Sequence, residues 1–216
     1  MREAVSLLGM VLKSSPVGEY DRRLVILTRE RGKITAFARG AKRPGNALMA
    51  AGRPFVFGDF KLYEGRDSYS LASAEVKNYF TEIVGDVEAA CYGSYFLEFA
   101  DYYGRENVEA AELLLLLYQS MRALLKPALP NALVRLVFEL RAMAACGEYT
   151  ARPPKPVSDS ASYAWEFIIA SPLESLYTFV LKDGVQRELR ECVEMNKRRF
   201  IDREFKSLGI LRELQK

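Results

Sequence analysis

The sequence contains no histidine and only three cysteines among its 216 residues. Without histidine the chain cannot form a Ser-His-Asp or Cys-His catalytic group, or a zinc site that uses histidine. The three cysteines, Cys91, Cys146 and Cys192, are odd in number and far apart, which favours reduced thiols over a disulfide framework. The phosphate-binding P-loop pattern and the dinucleotide-binding glycine pattern are also absent. The sequence therefore predicts a protein that is not an enzyme, with no catalytic residues, no metal and no cofactor.

Long hydrophobic runs are missing as well. The stretch Leu113–Tyr118 is far shorter than the roughly 20 apolar residues that a membrane helix needs. The first four residues, Met-Arg-Glu-Ala, lack the apolar region of a secretory signal. We therefore expect a cytoplasmic protein that does not bind a membrane.

Positive charge is distributed unevenly along the chain. Residues 1–80 contain 14 Lys or Arg against 8 Asp or Glu, a net charge of +6, whereas residues 81–216 contain 17 against 20, a net charge of −3. This asymmetry indicates two modules with different partners, a domain at 1–80 and a second at 81–216.

The first module has the pattern of a small β-barrel. Short apolar segments alternate with turns such as 14–21, which contains Pro16 and Gly18. Five strands are predicted, at 5–13, 22–28, 33–39, 55–65 and 68–80. The long break after the third strand favours a five-stranded OB-fold barrel over an SH3-like barrel.

The second module has helical periodicity, so the predicted fold class is α+β. Helices are predicted at 83–103, 107–125, 131–147 and 184–206, and Asn107 is a plausible N-cap for the second of them. The proline-rich segment 148–162 is predicted to be a linker. Residues 163–181 are expected to be partly extended and to become helical after Pro172, and the whole stretch 148–170 is expected to be irregular.

The third strand leads into a basic, glycine-containing loop. Six of the fifteen residues from Arg29 to Arg43 are basic, and only Glu30 opposes them. Cations that follow phosphates and rings that stack on bases are what a single-stranded nucleic acid requires. A solvated loop is the alternative. The predicted DNA-binding residues are Arg29, Arg31, Lys33, Phe37, Arg39, Lys42 and Arg43.

The order of several motifs resembles the bacterial recombination mediator family RecO. The matching segments are "GEYD" (18–21), "TRERGK" (28–33), "ARGAKRP" (38–44), "LYEG" (62–65), "FELR" (138–141) and "RRFIDREFKSLGIL" (198–211). The resemblance implies an N-terminal OB-fold, a C-terminal helical domain, and binding and annealing of single- and double-stranded DNA. It also implies action with RecR, contact with the acidic C-terminal tail of single-stranded-DNA-binding protein, and loading of recombinase during gap repair.

One feature departs from this family. Many members carry a four-cysteine zinc module after the "FELR" helix, but residues 148–170 contain no cysteine here, so the zinc-finger module is expected to be absent.

Four cationic residues on two predicted helices are the candidates for binding the acidic tail: Arg135, Arg141, Arg198 and Arg199. A generic OB-fold RNA-binding protein and a protein-binding adaptor are the alternative functions.

Overall fold

A computed structural model of the chain describes residues 4–214, without the side chains of residues 212 and 214. Five strands close into a barrel in the order β1-β2-β3-β5-β4. Neighbouring strands are antiparallel except for β3 and β5, which pair in parallel through Ala36 and Phe37. The predicted five-stranded OB-fold barrel is therefore confirmed. The strands are β1 (Ala4–Val17), β2 (Asp21–Thr28), β3 (Gly32–Ala38), β4 (Phe57–Glu64) and β5 (Tyr69–Asn78).

The barrel core follows from the two-residue period of its strands. On β3, Ile34, Ala36 and Ala38 are buried in the apolar core, whereas Lys33 and Phe37 are only half-buried. Because successive side chains of a strand point to opposite faces, Lys33, Thr35 and Phe37 lie on the outer face. The third strand, predicted at 33–39, thus has one face in the core and one face outside.

The first hairpin is longer than the sequence predicts. Residues 14–17, which were expected to lie in a turn, continue β1, and Pro16 pairs in register with Arg22 of β2. A proline is tolerated here because β1 pairs with β4 only as far as Met10, so its other edge is open at Pro16. The turn itself contains Gly18 at a φ of 56°, a conformation that glycine adopts without steric cost.

The helices follow the barrel, apart from a short helix α1 (Leu48–Ala51) inside the β3–β4 connection. A single 3-10 turn spans Leu173–Ser175. The other helices are α2 (Thr81–Gly85), α3 (Val87–Tyr103), α4 (Ala111–Leu124), α5 (Asn131–Ala145), α6 (Asp159–Ala170), α7 (Asp183–Phe200) and α8 (Lys206–Leu214). No helix within residues 4–214 is both long enough and apolar enough to cross a bilayer.

The chain folds as two compact units. The first comprises Met1–Glu82 and Leu97–Leu114, so the barrel is joined by the end of α3 and the segment after it. The second comprises Ile83–Phe96 and Leu115–Lys216, where α5, α6 and α7 pack against one another. The functional boundary at residue 80 remains a prediction.

Asn107 does not cap a helix, so that prediction is wrong. Its φ is 59°, and its backbone N–H donates to the carbonyl of Arg31 at 3.0 Å. Ala110 N likewise donates to Arg29 O at 2.9 Å, and Gly32 forms an isolated antiparallel β-bridge with Glu106. The segment before α4 therefore bonds to the β2–β3 turn instead of continuing the helix.

The irregular segment predicted after the prolines is shorter than expected. Helix α6 begins at Asp159 because Ser158 caps it, its hydroxyl accepting a hydrogen bond from Ala161 N at 3.3 Å. The helix ends at Ala170, just before Pro172, and the predicted helix after this proline is only the 3-10 turn. The predicted last helix, 184–206, is shorter than expected, because α7 ends at Phe200 and α8 begins only at Lys206.

A fully buried carboxylate links three helices of the second unit. Oε1 of Glu139, in the "FELR" segment of α5, accepts hydrogen bonds from Tyr95 Oη at 2.5 Å, Arg135 Nε at 2.9 Å and Lys197 Nζ at 2.8 Å. Glu194 on α7 binds the same two cations at 3.1 and 2.9 Å. Two acids and two bases thus compensate one another in the interior.

The charges in this cluster keep Glu139 ionised. Burial alone would raise the pKa of Glu139, but the charges of Arg135 and Lys197 hold that pKa below its ordinary value. Burial and the adjacent Glu139 carboxylate raise the pKa of the Tyr95 phenol well above its usual range. Tyr95 therefore stays a neutral donor to a charged acceptor.

Replacing Glu139 by Gln should destabilise the protein strongly. The change leaves Arg135 and Lys197 buried with one carboxylate in place of two, and breaking a buried ion pair costs about 3–5 kcal/mol. Urea unfolding followed by circular dichroism measures this loss. Glu194→Gln, at a site that is one-third exposed, should cost less. A change below about 1 kcal/mol for Glu139→Gln would contradict this interpretation.

Candidate nucleic-acid interface

The loop after β3 is held against the turn between β1 and β2. Asp21 Oδ1 accepts a hydrogen bond from Gly40 N at 2.7 Å, and the carbonyl of Tyr20 accepts one from Lys42 N at 2.8 Å. Gly40 has a φ of 68°, which lets the chain turn immediately after the strand. These contacts fix the backbone from which the loop cations extend.

Three cations on this loop are not neutralised. Arg39, Lys42 and Arg43 are exposed, and no ion pair involves them within residues 4–214. The Arg43 guanidinium lies over the ring of Tyr20, 4.7 Å from its centroid, and Tyr20 is 41% exposed. We call these four residues the cationic edge. It combines unpaired positive charge with a partly exposed aromatic ring, the two kinds of group that bind single strands.

The predicted residues on the β2–β3 turn are paired within the protein. Arg29 contacts Glu30 at 2.8 Å in an exposed ion pair, which is weak. Arg31 contacts Glu64 at 2.8 Å and donates to the Tyr69 hydroxyl at 2.7 Å. Hydrogen bonds to Glu64 and Tyr69 raise the pKa of Arg31. The positive charge of this turn is therefore partly offset before any ligand approaches.

Lys33 is held by the end of α3. Its Nζ donates to the backbone carbonyl of Asp101 at 2.6 Å and lies 3.4 Å from the side-chain Oδ1, while Lys13 of β1 donates to Oδ2 at 2.7 Å. Burial would raise the pKa of Asp101, but the hydrogen bond from Lys13 and the charge of Lys33 keep it below its ordinary value. A single carboxylate thus offsets part of the positive charge of two strands.

Phe37 lies beside a basic residue on the outer face of the barrel. It is directly opposite Arg23 of β2 in the antiparallel register, and Arg23 is exposed. Such opposite side chains are close neighbours on one face of a sheet. Sequence reasoning assigned neither Arg23 nor Tyr20 to the site. The outward direction of the Arg23 side chain could have been predicted, because its neighbour Leu24 points into the core.

A second concave feature of this unit has mixed charge. A cleft of about 240 Å³ lies between β3 and the β4–β5 turn. Its lining contains three acids, Glu64, Asp67 and Glu106, and two bases, Lys33 and Arg66. Because the acids outnumber the bases, this cleft offers no preference for a polyanion, and the cationic edge is the better candidate.

The helical candidates occupy two different environments. Arg135 belongs to the buried cluster around Glu139, and Arg141 is half-buried on the same helix. Arg198 and Arg199 are exposed in the last turn of α7, where the Arg199 guanidinium lies 5.2 Å from the ring centroid of Phe200. The structure thus leaves the α7 pair at the surface and holds Arg135 inside. Their role in partner binding remains a prediction.

Metal-ligating side chains are scattered. Among residues 4–214, no group of three or more Cys, Asp or Glu side chains is arranged to hold a metal ion. None of the three cysteines forms a disulfide in the described part of the chain; Cys192 is buried, Cys91 half-buried and Cys146 exposed. The described structure therefore offers no candidate metal centre.

A closed five-stranded barrel with a cationic and aromatic edge is typical of OB-fold proteins that bind nucleic acids. The family model "Recombination protein O N terminal" matches residues 1–80, and "Recombination protein O C terminal" matches residues 84–151. The chain belongs to the RecO family of DNA repair proteins, so the resemblance seen in its motifs is confirmed.

Curated relatives agree with this assignment. DNA repair protein RecO of Alkaliphilus metalliredigens (strain QYMF) is 33% identical over 74% of this chain, and the chain spans 65% of that protein. The RecO of Acetivibrio thermocellus is 24% identical over 96% of both chains. The RecO of Desulforudis audaxviator (strain MP104C) is 28% identical over 95% of both. The similarity thus extends over nearly the whole chain in some relatives.

Replacing Asp101 by Asn should reduce stability in a pH-dependent way. At neutral pH the change removes the charge from the hydrogen bond with Lys13 and from the ion pair with Lys33, which should cost about 1.5–3 kcal/mol. Because the pKa of Asp101 is lowered by folding, its contribution is complete above about pH 4, the unfolded value, and is lost as the pH falls through the lower folded value. The difference between wild type and variant should therefore shrink in acid.

Urea unfolding of both proteins at neutral and acidic pH measures this difference. Asp59→Asn is the matched control, because Asp59 pairs with Lys77 at a more exposed site. A stability difference that is equal at both pH values would show that the Asp101 carboxylate does not act through its charge.

Proposed function

We propose that this protein is a non-enzymatic recombination mediator that binds single- and double-stranded DNA through the cationic edge. The observation that carries the proposal is the free charge of Arg39, Lys42 and Arg43 beside the exposed ring of Tyr20. Uncompensated cations bind phosphates in any sequence, and rings stack on any base. Binding of this kind does not depend on base sequence, as strand annealing requires.

Two DNA strands held on such a surface can pair because its cations reduce the repulsion between their phosphates. Arg23 and Phe37 extend the edge along the outer face of β2 and β3. We therefore infer that the protein anneals complementary strands and helps to load recombinase onto DNA coated with single-stranded-DNA-binding protein in gap repair. In this role it acts in the cytoplasm, associated with the nucleoid, and requires no cofactor or catalytic group.

The partners that we propose are RecR and the acidic tail of single-stranded-DNA-binding protein. For the tail, Arg198 and Arg199 are better placed than Arg135, because both are exposed whereas Arg135 is engaged by Glu139 and Glu194. Arg141, which is half-buried, is the second choice. An acidic tail would bind there by charge-assisted hydrogen bonds.

Replacing Arg39, Lys42 and Arg43 together by Ala should weaken DNA binding equally for different base sequences. Each lost phosphate contact should reduce the slope of log affinity against log salt by about 0.7 on single strands. Fluorescence anisotropy with labelled oligonucleotides at several salt concentrations measures both quantities. Annealing of complementary strands should slow in the same variant.

The control variant replaces three exposed arginines of the helical unit by Ala and so removes the same amount of positive charge. These residues are Arg187, Arg190 and Arg203. It should retain most of the affinity and the salt slope. Equal losses in the two triple variants would show that only net charge matters. An unchanged slope in the cationic-edge variant would contradict the proposed function. RNA and DNA oligonucleotides of one sequence distinguish a DNA mediator from an RNA-binding protein.

The tail contact can be tested separately. Titrating a labelled peptide of the acidic tail should show that the Arg198/Arg199→Ala variant binds about tenfold more weakly, because charge-assisted contacts contribute about 1.5–3 kcal/mol. Arg187→Ala is the control, since it removes one exposed charge from the same helix. If the folded double variant binds the peptide like wild type, this assignment is wrong.

A further inference from the structure

An apolar groove on the second unit contains none of the residues that we propose to bind DNA. It lies between α6 and the segment 176–182 that precedes α7, and its volume is about 620 Å³. The residues that line it are Asp159, Ser160, Tyr163, Ala164, Phe167, Phe179, Val180 and Leu181. We propose that this groove binds a basic, amphipathic helical segment of a partner protein.

Two apolar side chains of the groove are largely exposed to solvent. Tyr163 is 71% exposed and Val180 is 64% exposed. Phe167 forms the floor between them, because its ring contacts Phe179 edge to face at a centroid distance of 5.3 Å and Tyr163 at 6.2 Å. Contiguous exposed apolar side chains of this kind mark interaction sites. Burying Tyr163 and Val180 against a partner would supply the hydrophobic part of the binding free energy.

The size and shape of the groove suit a helix. On α6 the lining residues Asp159, Ser160, Tyr163, Ala164 and Phe167 recur at intervals of three or four, so they form one stripe along the helix. A partner helix that lies along such a stripe inserts side chains at matching intervals. A volume of about 620 Å³ accommodates a few such apolar side chains.

The charge around the groove specifies the partner. The lining of the groove contains one acid and no base, although the whole chain has a net charge of +3. Asp159 lines the groove, and Glu166 lies beside the stripe, one helical turn from Tyr163. No ion pair involves Asp159 or Glu166 within the described part of the chain. Lys or Arg at the flanks of an apolar segment would complement these carboxylates.

The same charge disfavours the acidic tail at this site. Like charges placed together at an interface oppose binding, so a segment rich in Asp would be repelled by Asp159 and Glu166. The groove therefore selects a partner segment opposite in charge to the tail proposed for Arg198 and Arg199. This inference does not depend on the proposed DNA binding.

The test uses the full chain and two labelled synthetic peptides. Both carry Leu or Phe at every third or fourth position, and one has Lys where the other has Glu. Fluorescence anisotropy should show saturable binding of the Lys peptide only. Tyr163→Ser together with Val180→Ser should weaken it by about tenfold or more, since buried aromatic anchors dominate interface energies. Asp159→Asn together with Glu166→Gln should weaken it by roughly two- to fivefold.

The matched controls are Val84→Ser, an apolar residue that is 62% exposed on α2, and Glu109→Gln, an exposed acid before α4. Both should bind the Lys peptide like wild type, and every variant should bind DNA like wild type. Failure of the Lys peptide to bind overturns the proposal. Equal binding of the Glu peptide, or insensitivity to the Tyr163/Val180 change, overturns it as well.

Discussion

Pairing between acidic side chains and the strand cations of the barrel determines which positive charges remain free for a ligand. Asp101 engages Lys13 and Lys33, and Glu64 engages Arg31, so part of the positive charge of the barrel is already offset. The loop after β3 has no such acid, and its cations extend into solvent. Three unpaired cations are thereby concentrated within five residues of one loop. This concentration of charge is where we expect a polyanion to bind.

The positions of these free cations depend on backbone contacts. Asp21 binds the amide of Gly40, and Tyr20 both accepts from Lys42 N and places its ring beneath Arg43. A site built on bonded turns between strands loses less conformational entropy on binding than a loose loop does. In the second unit the buried Glu139 cluster has the corresponding structural role, because it joins α3, α5 and α7 through charges that are compensated inside.

Local patterns in the sequence were sufficient for the barrel and insufficient for its electrostatics. The alternation of Lys33 and Phe37 with Ile34 and Ala36 follows from the two-residue period alone. The pairing of Lys33 with Asp101 does not follow from any local pattern, because the two residues are 68 positions apart in the sequence. Asn107 has the composition of an N-cap, but long-range bonds to the β2–β3 turn override that preference. Helix α6 was not predicted, because the prolines before it indicated an irregular segment, although Ser158 is a favourable N-cap residue.

The central claim is that DNA binds where the barrel leaves its cations unpaired. Titrating a short single-stranded oligonucleotide into isotopically labelled protein, and following backbone amide shifts by nuclear magnetic resonance, tests this claim residue by residue. The account predicts the largest shifts at the amides of Tyr20, Gly40 and Lys42, with smaller ones at Arg23 and Phe37. Shifts confined to the helical unit or to the mixed-charge cleft at the β4–β5 turn, with none at the cationic edge, would contradict it.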